Sequence, residues 1–260
     1  MEYPIDWSNK LKTIALFNIK GGVGKTTSAV NLAFLAAQSG MRTTLWDLDP
    51  QGCAGWYLGI NDAELEKRAA KLIEGKLQPA ELLVPTRHEN LSVVPSDLSA
   101  RKLDVLLAEQ EAGKNYFKSL LKSFGEDQDL VILDCAPALS SAAEQIFHTV
   151  DLVLVPLIPT PLSLRAYDQL KEFLGQKKWS GLKVVPFFTQ ADRRRKIQNE
   201  LIENRKKLYP ESLKTYIPYA SALEQMGVHR APITVFSGSS PSGLGYWLLW
   251  AEVKKLLKTL

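Results

Sequence analysis

Residues 13–27 read TIALFNIKGGVGKTT, and this stretch decides the fold. Its first part, TIALFN, is an apolar run of strand length, and three glycines follow it before a lysine and two threonines. Over residues 26–38 the apolar residues recur at helical spacing, and Gly40 follows the last of them. The stretch therefore predicts a buried strand, a glycine-rich turn and a helix in immediate succession.

The rest of the chain repeats this alternation of strand and helix. Continuous apolar runs, typical of strands covered on both faces, occur at residues 13–18, 43–47, 91–95, 130–134, 152–158 and 183–188. Further helices are predicted to begin near Ser140, Ser163 and Arg194. We therefore expect a doubly wound α/β fold with a mostly parallel sheet flanked by helices. No repeat or long linker divides the chain, so residues 1–260 are interpreted as a single domain.

The composition excludes several classes of protein. Of the 260 residues, 45% are hydrophobic and 23% are charged, as in ordinary globular proteins. No apolar run approaches the roughly 20 residues of a membrane-spanning helix, and the N-terminal MEYPIDWSNK is unlike a signal peptide, so we expect a cytoplasmic protein. Cys53 and Cys135 lack metal-site spacing, and each is interpreted as a small buried hydrophobic residue.

The segment GGVGKTT has the residues and the context of a phosphate-binding loop of the P-loop NTPase type. Glycines let backbone N–H groups face a polyphosphate, and the helix N-terminus adds partial positive charge. Lys25 is predicted to neutralise the β and γ phosphates, and the Thr26 hydroxyl to ligate Mg²⁺. The expected nucleotide-binding residues of the loop are Gly21, Gly22, Val23, Gly24, Lys25, Thr26 and Thr27.

A second lysine, Lys20, precedes the loop, and Ile19 stands where the usual pattern has its first glycine. One lysine and one Mg²⁺ already balance a single triphosphate. The residues alone leave two interpretations open: Lys20 points to solvent, or it serves a different nucleotide.

Four segments resemble the ParA/MinD family of deviant Walker-type ATPases, and the ParA/Soj branch in particular. They are KGGVGKTT at residues 20–27, DLDPQG at 47–52, VVPSDL at 93–98 and VILDCAP at 131–137. In that family the lysine matched by Lys20 reaches across a sandwich dimer to the phosphates of the partner's ATP. The resemblance implies ATP and Mg²⁺ as cofactors, an ATP-dependent homodimer, and slow hydrolysis of ATP to ADP and phosphate that a partner protein stimulates.

The same resemblance assigns the carboxylates. Asp49 matches the residue that positions the attacking water, Asp47 matches the one nearer the phosphate loop and metal, and Asp134 would hold Mg²⁺ or its water as a Walker B aspartate does. They follow apolar strands, whose carboxyl ends form the ligand-binding edge of such sheets. The expected catalytic residues are therefore Lys20, Lys25 and Asp49, and the expected metal-binding residues are Thr26, Asp47 and Asp134.

Two later segments, FFTQAD at residues 187–192 and the pair Ile217-Pro218, resemble the loops that hold adenine in ParA relatives. They supply Gln190, Asp192 and Pro218 as candidates, each with an alternative role in a turn. The chain departs from its relatives directly afterwards. IPYASALEQMGV has no arginine before Arg230, so one familiar DNA-contacting arginine of the family is missing.

Positive charge is concentrated in residues 171–214, which contain 12 Lys/Arg and 5 Asp/Glu. We predict non-specific binding of double-stranded DNA by a helical region there, with Ile197, Leu201 and Ile202 facing the core. The alternative is a merely solvated helix face. The basic residues concerned are Arg193, Arg194, Arg195, Lys196, Arg205, Lys206 and Lys207.

The segment YWLLWAEVKKLLKTL ends amphipathically, as does the membrane-binding helix of MinD-like relatives. Trp247 and Trp250 are interpreted as core residues, so a packed helix is expected and membrane binding is not. The predicted function is segregation of a plasmid or chromosome region, or positioning of a cargo on the nucleoid, with a ParB-like or adaptor protein stimulating hydrolysis. The alternatives are a MinD-like membrane-associated positioning ATPase and a metabolic ATPase or iron–sulfur carrier using Cys53 or Cys135.

Overall fold

A computed structural model describes residues 11–61, 71–72, 76–97, 116–176, 179 and 181–260. The last residue of the VVPSDL segment, Leu98, lies outside the described residues.

The described residues form an eight-stranded sheet. Its strands are β1 (Lys12–Leu16), β2 (Thr43–Asp47), β3 (Val84–Pro85), β4 (Leu91–Val94), β5 (Leu130–Asp134), β6 (Leu152–Leu157), β7 (Lys183–Ala191) and β8 (Tyr216–Pro218). The strand order is β3-β4-β2-β5-β1-β6-β7-β8, and every neighbouring pair is parallel except β3 with β4. The fold-class prediction of a doubly wound, mostly parallel sheet is confirmed.

Helices connect the strands and cover both faces of the sheet. The α-helices are α1 (Lys25–Gln38), α2 (Cys53–Tyr57), α3 (Tyr116–Lys122), α4 (Ser141–Phe147), α5 (Pro161–Gly175), α6 (Lys196–Glu203), α7 (Arg205–Leu208), α8 (Ser221–Glu224), α9 (Met226–His229), α10 (Ile233–Ser237) and α11 (Pro241–Leu257). Short 3₁₀ turns lie at Pro79–Leu82 and Gly125–Asp127.

Two hydrophobic clusters lie on opposite faces of the sheet, and β1 with the following Phe17 contributes to both. Ile14 and Leu16 belong to the cluster that contains α1 and α11, whereas Ala15 and Phe17 belong to the cluster that contains α3, α4 and α5. Successive side chains of a strand point to opposite faces, so a strand covered on both sides needs apolar residues at every position. This requirement explains the continuous apolar runs of the sequence.

Most predicted strands agree with the structure within one or two residues, whereas two edge strands were missed. β3 and β8 contain two and three residues, too few to produce a recognisable pattern. β7 continues to Ala191, beyond the predicted end at residue 188.

Several predicted burials are wrong. Ile197 is 50% exposed, because the buried residues of α6 are Gln198 and Ile202. Trp247 is 44% exposed, because it lies on the outer side of α11, whereas Trp250 is buried as predicted. Cys53 is exposed at the start of α2, and only Cys135 is buried.

The C-terminal helix packs against the protein, as predicted. Val253 and Leu257 are buried in the same cluster as α1. Among the helices that the structure describes, none is long and apolar enough to cross a membrane.

Candidate functional site

The strands β2, β5 and β1 are neighbours at the centre of the sheet, and β2 and β5 each end at a predicted site residue. Asp134 lies in register with Leu16 of β1 on one side and with Asp47 of β2 on the other. The segment after β1 leads into the phosphate loop. Since parallel strands end at the same edge, the loop and both carboxylates converge at one place.

The phosphate loop turns by means of glycines and is held by β7. Gly22 (φ 72°) and Gly24 (φ 85°) adopt left-handed backbone conformations that side-chain-bearing residues disfavour. The Thr189 hydroxyl donates to the Val23 carbonyl (2.8 Å), and Gln190 Nε2 donates to the Gly22 carbonyl (2.7 Å). These two hydrogen bonds tie the loop carbonyls to the end of β7.

The two lysines of the loop differ in environment. Lys25 is buried, and its Nζ donates to the backbone carbonyl of Lys20 (3.4 Å). Burial lowers the pKa of Lys25, and the negative charge of Asp134 opposes that shift. Lys20 is half-buried, and its backbone N–H donates to Asn18 Oδ1 (2.9 Å). Within the described residues its ammonium group has no hydrogen-bond or ion-pair partner, so it is available to an anion from outside the monomer.

Asp134 is 1% exposed, and neither of its carboxylate oxygens receives a hydrogen bond from the described residues. Burial raises its pKa to about 7. The Thr26 hydroxyl, which lies close but outside hydrogen-bonding geometry, and the positive charge of Lys25 oppose the rise. A buried carboxylate without a donor is costly unless a cation or a proton neutralises it. Carboxylate and hydroxyl oxygens are ligands that Mg²⁺ accepts, so Asp134 and Thr26 fit a magnesium site.

Asp47 shapes the loop that carries Asp49. Its Oδ1 accepts the N–H of Asp49 (2.9 Å), and its Oδ2 accepts the N–H of Ala54 (3.0 Å). Burial raises the pKa of Asp47 well above its usual range, and the nearby Asp134 adds to the rise. Because both oxygens accept backbone donors, this side chain spans the two ends of the Asp49 loop, residues 48–54.

Asp49 itself is half-buried, and its Oδ1 accepts the N–H of Gln51 (3.0 Å) within the same loop. Gly52 closes the turn with a φ of 66°, and a Cβ at this position would lie 3.0 Å from the Ser96 carbonyl oxygen. The turn therefore needs glycine for two reasons, its backbone conformation and the close approach of residue 96.

A cavity of about 180 Å³ lies beside the phosphate loop, where a nucleotide base could sit. Its walls include Gly24 and Gln190, together with Ile217 and Tyr219 on either side of Pro218. Asp192 is engaged elsewhere: it pairs with Arg194 (2.8 Å) and Arg195 (3.5 Å), and the hydrogen bond from Arg194 lowers its pKa to about 2. The structure thus places Gln190 at this cavity, Pro218 between two lining residues, and Asp192 in an ion-pair cluster.

Sequence reasoning missed all of the aromatic residues that line this cavity. Tyr57, Tyr219 and Tyr246 all line it, and so does Glu224. Tyr219 directly follows the Ile217-Pro218 pair and could have been found by that adjacency. Tyr57 and Tyr246 come from α2 and α11, and only the tertiary fold brings them together.

The basic residues occupy a turn and two short helices rather than one helix. Arg193 donates to Glu203 (3.3 Å) and Asn199 (2.7 Å), and Arg205 donates to the carbonyl of Leu213 (3.2 Å). Lys206 Nζ donates to the Pro210 carbonyl (3.0 Å). The side chains of Arg194, Arg195 and Lys196 are mostly exposed. DNA binding at this region stays a prediction.

Comparison with known proteins gives a consistent result. Residues 11–180 match a family described as an AAA domain. The chain is 30% identical over 247 residues to the sporulation initiation inhibitor protein Soj of Bacillus subtilis (strain 168), covering 93% of this chain and 98% of Soj. It is 29% identical over 254 residues to the chromosome partitioning protein ParA of Myxococcus xanthus (strain DK1622), covering 96% of this chain and 90% of ParA.

Among solved structures, a similar fold occurs in the cobyrinic acid a,c-diamide synthase of Mycobacterium smegmatis with bound ATP analog and magnesium. The TM-score is 0.80, the sequences are 24% identical, and 96% of each chain is covered. This likeness shows the fold.

The sheet order and the glycine loop between β1 and α1 define a P-loop protein of the doubly wound α/β class. With the relatives above, the chain belongs to the ParA/MinD family. The predicted resemblance is confirmed.

The ionisation of Asp134 predicts a pH-dependent stability in the protein without metal. Its pKa rises from an ordinary value near 3.8 to about 7 on folding, so the folded state binds the proton more tightly. This contribution to the free energy of unfolding is therefore present at low pH and is lost as pH rises towards 7 and above. In EDTA, Asp134→Asn should raise the free energy of unfolding at pH 8 by at most about 4 kcal/mol, since one pKa unit corresponds to about 1.4 kcal/mol.

Urea denaturation at pH 8 and pH 4.5 measures this difference. The gain of the variant over the wild type should shrink to about 1 kcal/mol at the lower pH, where the folded Asp134 is protonated and the unfolded one is still largely ionised. A gain of equal size at both pH values would show that packing, and not ionisation, is responsible.

Proposed function

We propose that this protein is a slow ATPase that uses Mg²⁺ and forms an ATP-dependent homodimer. The observation that carries the proposal is the contrast between the two loop lysines: Lys25 is buried against the loop, whereas the ammonium of Lys20 has no partner within the described part of the monomer. A second subunit's ATP would give that ammonium its anionic partner. Nucleotide-bound structures with this fold support ATP and Mg²⁺ as the ligands.

Each site residue has a proposed role. The backbone N–H groups of residues 21–27 and the Lys25 ammonium would hold the phosphates, and Gln190 would border the base with Tyr219. Asp134 and Thr26 would hold Mg²⁺, which neutralises charge on the β and γ phosphates when bound. Asp49 would orient the attacking water, and Asp47 would hold the Asp49 loop by its two backbone hydrogen bonds. Such a site works by positioning and charge neutralisation.

The dimer is further proposed to bind double-stranded DNA without sequence preference and to segregate a plasmid or chromosome region, or to position a cargo on the nucleoid in the cytoplasm. The names of the relatives Soj and ParA support partition as the process. A ParB-like or adaptor protein would stimulate hydrolysis. Membrane attachment of the MinD type is not favoured, because Val253 and Leu257 in the last turns of α11 are buried against the protein.

Lys20→Ala should separate nucleotide binding from dimerisation. The monomer should bind a fluorescent ATP analogue within about threefold of the wild-type affinity, because Lys25 and the loop amides remain. ATP-dependent dimerisation, measured by light scattering, and hydrolysis should both be lost. Lys25→Ala should lose monomer binding as well.

Asp49→Ala serves as the opposite control. It should still dimerise with ATP but should not hydrolyse it, so the dimer should persist. Failure of Asp49→Ala to dimerise, or equal loss of monomer binding in Lys20→Ala and Lys25→Ala, would contradict the sandwich-dimer proposal.

The proposed DNA interface predicts a change in salt dependence. Lys196 is 91% exposed at its side chain and Lys207 is exposed, so a Lys196→Ala, Lys207→Ala double variant should weaken ATP-dependent binding to any duplex. The slope of log K against log salt should fall by about two, because each lysine that neutralises one phosphate contributes about one to the slope.

The matched control is Lys255→Ala, Lys258→Ala at the C-terminal end of α11, which should keep the wild-type slope. An unchanged slope in the first variant would remove these residues from the interface. Retention on anionic vesicles without retention on DNA would favour the membrane alternative instead.

A further inference from the structure

Arg230 lies in a backbone conformation that its residue type disfavours. It has a φ of 48° and a ψ of 46° at the C-terminal end of α9. Glycine is the usual residue at a left-handed helix end, because it bears no Cβ. The backbone alone would therefore favour glycine at this position, and the presence of arginine is explained by what its side chain does.

Within the described residues, the Arg230 guanidinium donates hydrogen bonds to residues 56–61 alone. Nε donates to the Trp56 carbonyl (3.3 Å), Nη1 donates to Asn61 Oδ1 (3.3 Å), and Nη2 donates to the Ile60 carbonyl in a short bond. The guanidinium carbon also lies 4.2 Å from the centroid of the Trp56 ring. A cation thus caps the carboxyl end of α2 and stacks on its one tryptophan.

Two further hydrogen bonds hold the segment that contains α9 and Arg230. Trp56 Nε1 donates to the Gly227 carbonyl of α9 (3.0 Å), and the Arg87 guanidinium donates to the carbonyl of Arg230. The segment that holds Arg230 is therefore anchored at two further points.

The other end of α2 is joined to the site. Ala54 lies in the first turn of α2, and its N–H donates to Asp47 Oδ2, while the N–H of Asp49 donates to Asp47 Oδ1. The five residues of α2 thus connect the Asp49 loop at one end with Arg230 at the other. A displacement of α2 would lengthen the hydrogen bond from the Ala54 N–H to Asp47 Oδ2, which closes the Asp49 loop.

We propose that Arg230 is a positioning residue for Asp49, acting through α2. It fixes the carboxyl end of this short helix, so that the Asp49 loop keeps one position relative to the phosphate loop. The role of the loop in hydrolysis rests on the proposed function, but the mechanical link from Arg230 to the loop does not.

Arg230→Gly is the main test, because glycine relieves the left-handed backbone while removing all the guanidinium contacts. In the absence of nucleotide, amide hydrogen exchange should quicken about tenfold at Gly52 and Ala54, whose N–H groups bond to the Asp49 carbonyl and to Asp47. Arg230→Lys keeps a cation without the planar fork and should show a smaller increase. Arg165→Ala removes an exposed arginine of α5 and should match the wild type.

Hydrolysis supplies the second measurement. Arg230→Gly should lower kcat for ATP about tenfold or more, since small misplacements of a positioning group are costly, while the nucleotide Kd changes less than about threefold. Trp56→Phe should lower kcat less than Arg230→Gly, because the bonds to the backbone carbonyls remain.

The outcomes separate this inference from the proposed function. Faster exchange limited to Leu58, Gly59 and Ile60, with Gly52 and Ala54 protected as in the wild type, would overturn it, because Arg230 would then only cap α2. Faster exchange throughout β1 and β5 in both Arg230 variants, or a parallel weakening of nucleotide binding and kcat, would overturn it too. A wild-type protein that fails to hydrolyse ATP would defeat the proposed function, and exchange at Gly52 and Ala54 would still decide the role of Arg230.

Discussion

Two buried carboxylates in register on neighbouring strands are the constraint around which this protein is organised. Asp47 and Asp134 end β2 and β5, and each is almost fully inaccessible to solvent. Two adjacent negative charges in a low-dielectric interior repel each other, and each raises the cost of ionising the other. The cost of ionisation is offset in different ways at Asp47 and Asp134. Asp47 receives two backbone N–H donors, whereas Asp134 receives no donor from the described residues and faces the Lys25 ammonium instead.

The two aspartates therefore differ in what their carboxylate oxygens contact. Asp47 uses its acceptors on the protein and therefore gives the Asp49 loop its shape. The carboxylate oxygens of Asp134 accept no hydrogen bond from the described residues and are therefore free to bind a cation. The nearby Thr26 hydroxyl adds a second oxygen of the kind that a hard cation needs. Sequence reasoning placed both aspartates among the metal residues. The hydrogen bonds show that Asp47 shapes the loop, whereas Asp134 accepts no hydrogen bond from the described residues; metal binding by either aspartate stays a prediction.

Sequence could predict what depends on local pattern and on the order of segments. Residues 43–47 and 130–134 read as strands and end where predicted, because continuous apolar runs leave few alternatives. The turn of the phosphate loop could be predicted from its glycines, because glycine adopts the left-handed backbone of Gly22 and Gly24 without the steric cost of a Cβ. Contacts between distant segments could not be predicted. Tyr57 and Tyr246 meet at the base cavity from α2 and α11, and no local pattern links them.

The wrong burial assignments share one physical cause. At Ile197 and Trp247, hydrophobic character was equated with burial, yet a helix that covers a sheet buries only one face. The positions on the outer face remain free to carry apolar side chains. Arg230 shows the opposite case, a charged residue that looks like surface in sequence but whose three donor nitrogens all bond to one neighbouring segment. Its left-handed backbone is invisible in the sequence, where HRAP reads as an ordinary loop. A phosphate site that works by positioning therefore depends as much on residues that keep a loop still as on those that touch the nucleotide.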